Sequence, residues 1–183
     1  QKFSETKVID LLKREELTVL NTISTAEGAI QIAMEESTKT LHGSKILVMG
    51  FGRVSKILSN MLKGIGAEVY CETRTTVNCA WIKAYGYKPI LLDELDDELN
   101  QFDIIINTIP HIILNKEKLK LLKRDSLIID IASNPGGVDR NAAKEIGIKL
   151  IWALSLPGRV APITSAEFIK ETLENILKDI KNN

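Results

Sequence analysis

The sequence has few of the side chains that build metal centres and disulfide frameworks. Its 183 residues include two cysteines, Cys71 and Cys79, and two histidines, His42 and His111. The two cysteines do not have the spacing of metal ligands. We therefore expect no metal site, and we expect thiols that stay reduced, as in a cytoplasmic protein.

An excess of charge is also missing, as is any long apolar run. The chain carries 24 basic and 24 acidic side chains and has no net charge. This balance gives no indication of a nucleic-acid or membrane-surface partner. Neither a run of about 20 apolar residues, as a membrane span needs, nor a signal-peptide pattern is present. The length suits one ordinary domain, with room for a small appendage.

A glycine turn between a strand and a helix is the central feature of the sequence. Residues 45–49 are predominantly apolar and predict a buried strand, and a helix is expected from about 54 to 63. Gly50 permits a tight turn, Gly52 permits close approach of a ligand, and the helix N-terminus favours an anion. Ser55 holds the third position of the G-x-G-x-x-G fingerprint, and its side chain is small enough for helix and strand to pack. We predict that a dinucleotide pyrophosphate binds at Gly50, Phe51, Gly52, Arg53 and Val54. The alternative is a turn of the same shape in a ligand-free α/β domain.

Strands and helices alternate along the rest of the chain. Further strands are expected at 67–71, 88–92, 126–131 and 149–153, with another from 102 that runs into a loop by 110. This pattern predicts an α/β fold, a doubly wound parallel six-stranded sheet of the Rossmann type. A connector helix capped by Ser24 or Thr25 is expected to run to about residue 38, and a C-terminal helix capped by Thr164 or Ser165 to about residue 180.

The segment after the second strand is expected to select the cofactor. An acidic side chain at the end of this strand holds the ribose 2′-hydroxyl of NAD in Rossmann folds. We place Thr73 at that position and Glu72 one residue before it. A guanidinium followed by hydroxyls favours the 2′-phosphate of NADP. We therefore predict NADP, bound by Thr73, Arg74, Thr75 and Thr76. If the strand ends one residue earlier, Glu72 holds the ribose and the cofactor is NAD.

The loops after the fourth and fifth strands are expected to surround the nicotinamide, because ligands bind beyond the carboxyl ends of parallel strands. The residues concerned are Asn107, Thr108, Ile109, Pro110, Ala132 and Ser133. A plain Pro-Gly turn explains the second loop equally well. The sequence assigns no catalytic acid or base.

Six stretches together resemble the first of the two subunits of dipicolinate synthase: residues 21–28, 42–44, 50–53, 107–110, 133–137 and 156–158. The resemblance implies an NAD(P)-dependent oxidoreductase that contributes to oxidation of a dihydrodipicolinate-type precursor to dipicolinate, on a branch of the lysine pathway. It also implies a sporulating bacterium, a place in the cytoplasm of the mother cell, and a partner, the flavoprotein-like second subunit of dipicolinate synthase. The basic residue followed by hydroxyls is also similar to the NADP loops of shikimate dehydrogenases.

The resemblance also implies a division of the chain. Family members are similar in carrying a substrate domain before residue 21, most of which is absent here. Residues 1–40 are then the tail of that domain and the connector helix, 41–158 the dinucleotide-binding domain, and 159–183 a bridging helix. Because the chain begins with Gln1, we expect a piece of a longer protein, inactive alone, and we expect a homo-oligomer. Two alternatives stay open: a nucleotide-binding assembly partner of the second subunit, with little turnover, and a two-domain dehydrogenase of small hydroxy or keto acids.

Overall fold

A single parallel sheet of six strands forms the centre of the molecule. The computed structural model describes residues 8–182. The strands are β1 Lys45–Met49, β2 Glu68–Thr73, β3 Lys88–Leu91, β4 Ile104–Asn107, β5 Leu127–Asp130 and β6 Lys149–Trp152. Their order in the sheet is β3-β2-β1-β4-β5-β6. The chain moves outward in both directions from β1 and β4, so the switch point where Rossmann sheets bind ligands lies between these two strands. The predicted doubly wound sheet is confirmed.

Eight helices connect or flank the strands within residues 8–182. They are α1 Glu15–Glu36, α2 Arg53–Ile65, α3 Thr76–Ala84, α4 Leu95–Glu98, α5 Lys116–Leu119, α6 Arg140–Ile146, α7 Leu156–Val160 and α8 Pro162–Lys181. Short 3₁₀ turns occur at Leu11–Lys13, Leu92–Glu94 and Leu99–Gln101. In this part of the chain no helix has the length and apolar character needed to cross a membrane.

The central strands are buried on both faces, which explains their almost continuous apolar sequence. Leu47 of β1 pairs in register with Ile105 of β4, and Ile105 with Ile128 of β5. These three side chains pack in one core with Phe102. The alternate residues of the same strands face the opposite core, which α1 and α2 cover. The sheet is thereby held rigidly beneath the loops at its carboxyl edge.

The connector helix begins earlier than predicted. α1 starts at Glu15, and Ser24 and Thr25 lie inside it instead of capping it. The Thr25 hydroxyl donates to the carbonyl of Asn21 at 2.8 Å, a bond within the helix. Ser24 is 1% exposed because this face of α1 packs against other helices. Hydroxyl residues that looked like a cap are therefore part of a tight helix contact.

The C-terminal part also differs from the prediction. α8 begins at Pro162, a residue suited to the first helical position, and Ser165 is buried within the helix. The short helix α7 was not predicted, and the predicted domain boundary after residue 158 falls inside it. Between β4 and β5 the helix α5 has only four residues and is capped by the Asn115 side chain.

Candidate functional site

The glycine turn after β1 has the geometry that its sequence indicated. Gly50 has φ +88°, and a Cβ placed there would lie 2.9 Å from Thr108 Oγ1 and from Ile109 Cγ1. Gly50 therefore needs to be glycine for both conformation and space. Gly52 directly precedes α2, and a Cβ there would meet no atom within 4 Å. The space beside Gly52 at the N-terminus of α2 is therefore open, as an anion site requires.

Ser55, in the third fingerprint position, joins α2 to the loop after β4. It is fully buried, and its hydroxyl lies 2.9 Å from Thr108 Oγ1. Since Thr108 Oγ1 donates its proton to the carbonyl of Met49 at 2.8 Å, Ser55 is the donor to Thr108. A small residue is accommodated here, as expected, and its hydroxyl adds a link that glycine lacks.

A cleft of about 290 Å³ opens beside the turn, between the end of β2 and the loop after β4. We call it the β2 cleft. Nine of the predicted cofactor residues line it: Gly50, Phe51, Gly52, Thr73, Arg74, Thr75, Thr108, Ile109 and Pro110. Two further residues, Glu72 and Asn78, complete the lining. The sequence thus indicated most of this surface.

A second cleft of about 480 Å³ lies on the other side of the turn, against α1. We call it the α1 cleft. Arg53 and Val54 line it, together with Gly52 and Thr108, which also line the β2 cleft. The two clefts therefore meet at the glycine turn. The Arg53 guanidinium is turned toward α1, where it pairs with Glu15. The facing side chains of α1 are polar and hydroxyl-rich: Thr18, Asn21, Thr22 and Thr25.

Glu72 is the acidic side chain that reaches the turn. β2 continues to Thr73, two residues beyond the predicted end, and Glu72 lies opposite Met49. Glu72 is 1% exposed, its Oε2 accepts the amide proton of Gly50 at 3.0 Å, and its Oε1 has no partner among the described residues. Burial raises the pKa of Glu72, against the opposing influences of the Gly50 amide and Arg74. A buried carboxylate oxygen without a partner is costly and indicates a place for a hydroxyl donor.

The residues after Glu72 form the rim of the β2 cleft. Thr73 Oγ1 accepts from the Asn78 side chain at 3.1 Å, and Thr75 Oγ1 accepts from the Asn78 amide at 3.2 Å, which caps α3. Arg74 is exposed between them. Thr76 is the first residue of α3 and does not line the cleft. The rim therefore presents one guanidinium beside the N-terminus of a helix.

The side chain of Asn107, a predicted cofactor contact, lies buried beneath the site. It is fully buried and donates to Asp130 Oδ1 at 2.8 Å and to the carbonyl of Ile109 at 3.0 Å. Asp130 also accepts the amides of Ala132 and Gly137. Sequence reasoning missed Asp130, although it ends β5 opposite Asn107 in the register. This pair shapes both loops from below.

The remaining predicted residues are not brought to either cleft. Ala132 is buried, and its carbonyl accepts the indole proton of Trp152 at 3.0 Å. Ser133 is exposed on the loop after β5 and lines neither cleft. His111 is exposed after β4, and His42 precedes β1, so neither histidine lines a cleft. Across residues 8–182 we find no group of three His, Cys, Asp or Glu side chains that would hold a metal ion.

The family assignment follows from the dinucleotide-binding geometry and from comparison with known proteins. Residues 16–143 match the model of the D-isomer specific 2-hydroxyacid dehydrogenase NAD-binding domain. The chain belongs to this family of NAD-binding domains. The match begins within α1 and ends in α6, so it includes the glycine turn, β2 and both loops of the site.

Comparison with individual proteins gives a more specific relationship than the family model does. The first subunit of dipicolinate synthase from Bacillus subtilis is 37% identical over 96% of this chain. The crystal structure of that Bacillus subtilis protein has a TM-score of 0.93 at 36% identity, and the structure of its Bacillus halodurans counterpart has 0.91 at 32%. The chain covers 59% of the first structure and 60% of the second. The resemblance read from the sequence is therefore confirmed, and it concerns about three fifths of those proteins.

Proposed function

We propose that this chain is the NADP-binding part of the first subunit of a dipicolinate synthase. The observation that carries the proposal is the β2 cleft, in which a glycine turn, a helix N-terminus and the Arg74 rim converge. The family match and the relatives of that name support an oxidoreductase of this kind. The reaction proposed is oxidation of a dihydrodipicolinate-type precursor to dipicolinate in the mother cell during sporulation.

The cleft contains a suitable group for each part of the cofactor. The open space over Gly52 and the α2 amides fit the pyrophosphate. Arg74, the Thr75 hydroxyl and the N-terminus of α3 fit a ribose 2′-phosphate. Residues 108–110 offer one polar and two apolar contacts on the opposite wall. Hydride transfer is the chemistry of the nicotinamide, and the residues described here bind and orient the dinucleotide.

NAD is the second candidate, and Glu72 supports it. Its unpartnered Oε1 is suited to accept from a ribose 2′-hydroxyl. A carboxylate at that position would repel a 2′-phosphate, whereas an exposed guanidinium at the rim would attract one. Burial raises the pKa of Glu72, so its carboxylate is protonated more readily than an exposed one as the pH falls. Protonation removes the negative charge and with it the repulsion of a 2′-phosphate. Arg74 and Glu72 therefore act in opposite directions on cofactor choice.

Calorimetric titration with NADP and NAD separately tests the proposal. We expect tighter binding of NADP, and we expect Arg74→Ala to weaken NADP by about 10- to 100-fold while leaving NAD unchanged, because one charge-assisted phosphate contact is lost. Arg124→Ala is the matched control, since Arg124 is equally an exposed arginine but does not line the β2 cleft. Glu72→Gln keeps an oxygen for the Gly50 amide and removes the charge.

The outcomes separate the two cofactors. Tighter NAD binding that Glu72→Gln weakens would make NAD the cofactor. An Arg74→Ala variant that binds NADP as well as the unchanged chain does would contradict the phosphate site. If neither dinucleotide binds, the nucleotide proposal fails for this chain.

The partner, the assembly and the domain division are further parts of the proposal. We expect the second subunit of dipicolinate synthase to bind this chain. We also expect a homo-oligomer. In the proposed division, residues 1–40 connect to a substrate domain, residues 41–158 bind the dinucleotide, and residues 159–183 form a bridging helix between the two. α1 packs against α2, α7 and α8, which suits a connector held to the dinucleotide domain.

The cleft linings include no histidine–carboxylate pair. We therefore expect no turnover of the precursor by the 183 residues alone, and observed turnover would refute this.

A further inference from the structure

A row of four aromatic rings runs from the edge of the core to the surface next to the β2 cleft. The ring of Phe51 in the glycine turn is 6.2 Å from that of Tyr85. Tyr85 stacks on Trp81 and on Tyr87, with ring centres 6.0 Å apart in both pairs. Val77 stands one helical turn before Trp81 on α3. We call these five residues the aromatic patch.

The outer part of the aromatic patch is more exposed than such side chains normally are. Trp81 is 55% exposed, Tyr85 46% and Val77 67%. Tyr87, by contrast, is buried in the core on the α2 side of the sheet and anchors the row. A contiguous apolar surface of this kind marks an interaction site, and Trp and Tyr are the side chains enriched at the centres of protein interfaces.

Two lysines give the aromatic patch a positive charge. Lys56 Nζ lies 5.5 Å from the centre of the Phe51 ring, and Lys63 Nζ lies 5.6 Å from that of Tyr87. Lys63 also donates to the carbonyl of Tyr85 at 2.8 Å. Within residues 8–182 neither Lys56 nor Lys63 forms an ion pair with a carboxylate. The patch therefore presents cations whose carboxylate partners the described chain does not supply.

We propose that the aromatic patch docks an acidic surface of the second subunit of the synthase. This inference rests on the proposed function, because it takes the chain to belong to an enzyme of two different subunits. A partner with carboxylates would pair with Lys56 and Lys63 and would cover Trp81 and Tyr85. The patch adjoins the β2 cleft through Phe51, which belongs to both, so the partner would sit beside the 2′-phosphate rim.

Other occupants fit the charges less well. In a two-fold dimer whose axis passes through the patch, the patch would face itself and bring like charges together. A single-stranded nucleic acid also stacks on aromatic rings, but it requires a basic groove along its backbone, and this chain has no net charge. The lysines and the charge balance therefore favour an acidic protein surface.

The test is binding of this chain to the purified second subunit from the same organism, measured by calorimetry and by light scattering on a sizing column. We expect Trp81→Ala to weaken the complex by about 30-fold or more, as loss of a central aromatic does. Lys63→Glu should also weaken it, and by a larger factor at low salt than at high salt. Leu177→Ala is the control, because Leu177 is 58% exposed on α8. The control should change the affinity by less than about threefold.

Circular dichroism and NADP titration accompany each variant. A Trp81→Ala chain that is folded and binds NADP normally but has lost the partner supports the proposal. Normal partner binding by Trp81→Ala and Lys63→Glu, or no complex with the unchanged chain, overturns it. Self-association or oligonucleotide binding that Trp81→Ala abolishes would overturn it too and would assign the patch to those occupants. If the unchanged chain does not bind NADP, the proposed cofactor is wrong, and this result does not bear on the docking surface.

Discussion

Two glycines in one turn have different physical requirements. Gly50 needs its positive φ and the space that a Cβ would take from Thr108 and Ile109. Gly52 has ordinary backbone angles and an empty surrounding, so the folded chain alone does not require glycine there. Gly50 is therefore required by the fold, whereas a requirement for glycine at position 52 would come from a bound ligand.

Substituting each glycine by alanine tests this separation. Gly50→Ala should lower the free energy of unfolding by about 1–3 kcal/mol, because alanine is strained at positive φ and meets two side chains. Gly52→Ala should leave stability within about 0.5 kcal/mol but abolish dinucleotide binding, since its methyl group would occupy the pyrophosphate space. Urea unfolding and calorimetry check the two variants. Equal cofactor binding by Gly52→Ala and the unchanged chain would contradict the placement of the pyrophosphate.

Some side chains of the site were predictable at this scale and others were not. The glycine turn is visible in sequence because each residue type has a local reason. Glu72 and Asp130 are not visible in the same way, because their roles depend on which direction a strand-end side chain takes. Glu72 points to the Gly50 amide, and Asp130 points to Asn107 and to the loop after β5. Both directions follow from register with neighbouring strands.

At the scale of elements, α1 shows how packing replaces local signals. Gly28 lies within α1, and a Cβ there would stand 2.9 Å from Val160 Cγ2 and 3.1 Å from Leu156. The absence of a side chain lets α7 approach α1 closely. Ser24, one turn earlier in α1, is buried as well, although its hydroxyl suggested a helix start to sequence reasoning. α7 itself has five residues, too few to establish a helical period in the sequence.

Gly28→Ala and Gly64→Ala form a matched pair for this contact. Gly64 is in α2, where a Cβ meets nothing within 4 Å, so alanine should stabilise by a few tenths to about 1 kcal/mol through helix propensity. Gly28→Ala has the same propensity gain but crowds α7, and we expect it to be about 1–3 kcal/mol less stable than Gly64→Ala. Thermal and urea unfolding measure both. Equal free energies of unfolding for the two variants would show that α7 moves aside for the added methyl group without loss of stability.

At the scale of the whole molecule, Asp103 ties together segments that are distant in sequence. Its carboxylate accepts from Lys39 after α1, from the amide of Lys45 at the start of β1, and from Lys123 before β5. Burial alone would raise the pKa of Asp103, but these hydrogen bonds together lower it from 3.8 to about 2. The ionised form is therefore preferred more strongly in the folded than in the unfolded chain.

This pKa predicts how stability changes with pH. The Asp103 contribution is present above the unfolded pKa of 3.8 and is lost as the pH falls through about 2, an effect of about 2 kcal/mol. Asp103→Asn should unfold more easily by about 1–2 kcal/mol at pH 7, and its deficit should shrink between about pH 4 and pH 2. Asp97→Asn, at an exposed carboxyl on α4, is the control. A deficit that stays constant down to about pH 2 would exclude titration of Asp103 as the cause.

The sequence by itself determined the strand-turn-helix at Gly50, the alternation of strands and helices, and with them the doubly wound sheet, because these follow from local conformational preference and apolar periodicity. It also indicated nine of the residues that line the β2 cleft. The tertiary structure decided the depth of Glu72, the burial of Asn107 on Asp130, the early start of α1, and the gathering of Phe51, Trp81, Tyr85 and Tyr87. The Glu72–Gly50, Asn107–Asp130 and Phe51–Tyr85 contacts join residues far apart in the chain, and such contacts leave no periodic pattern in the sequence.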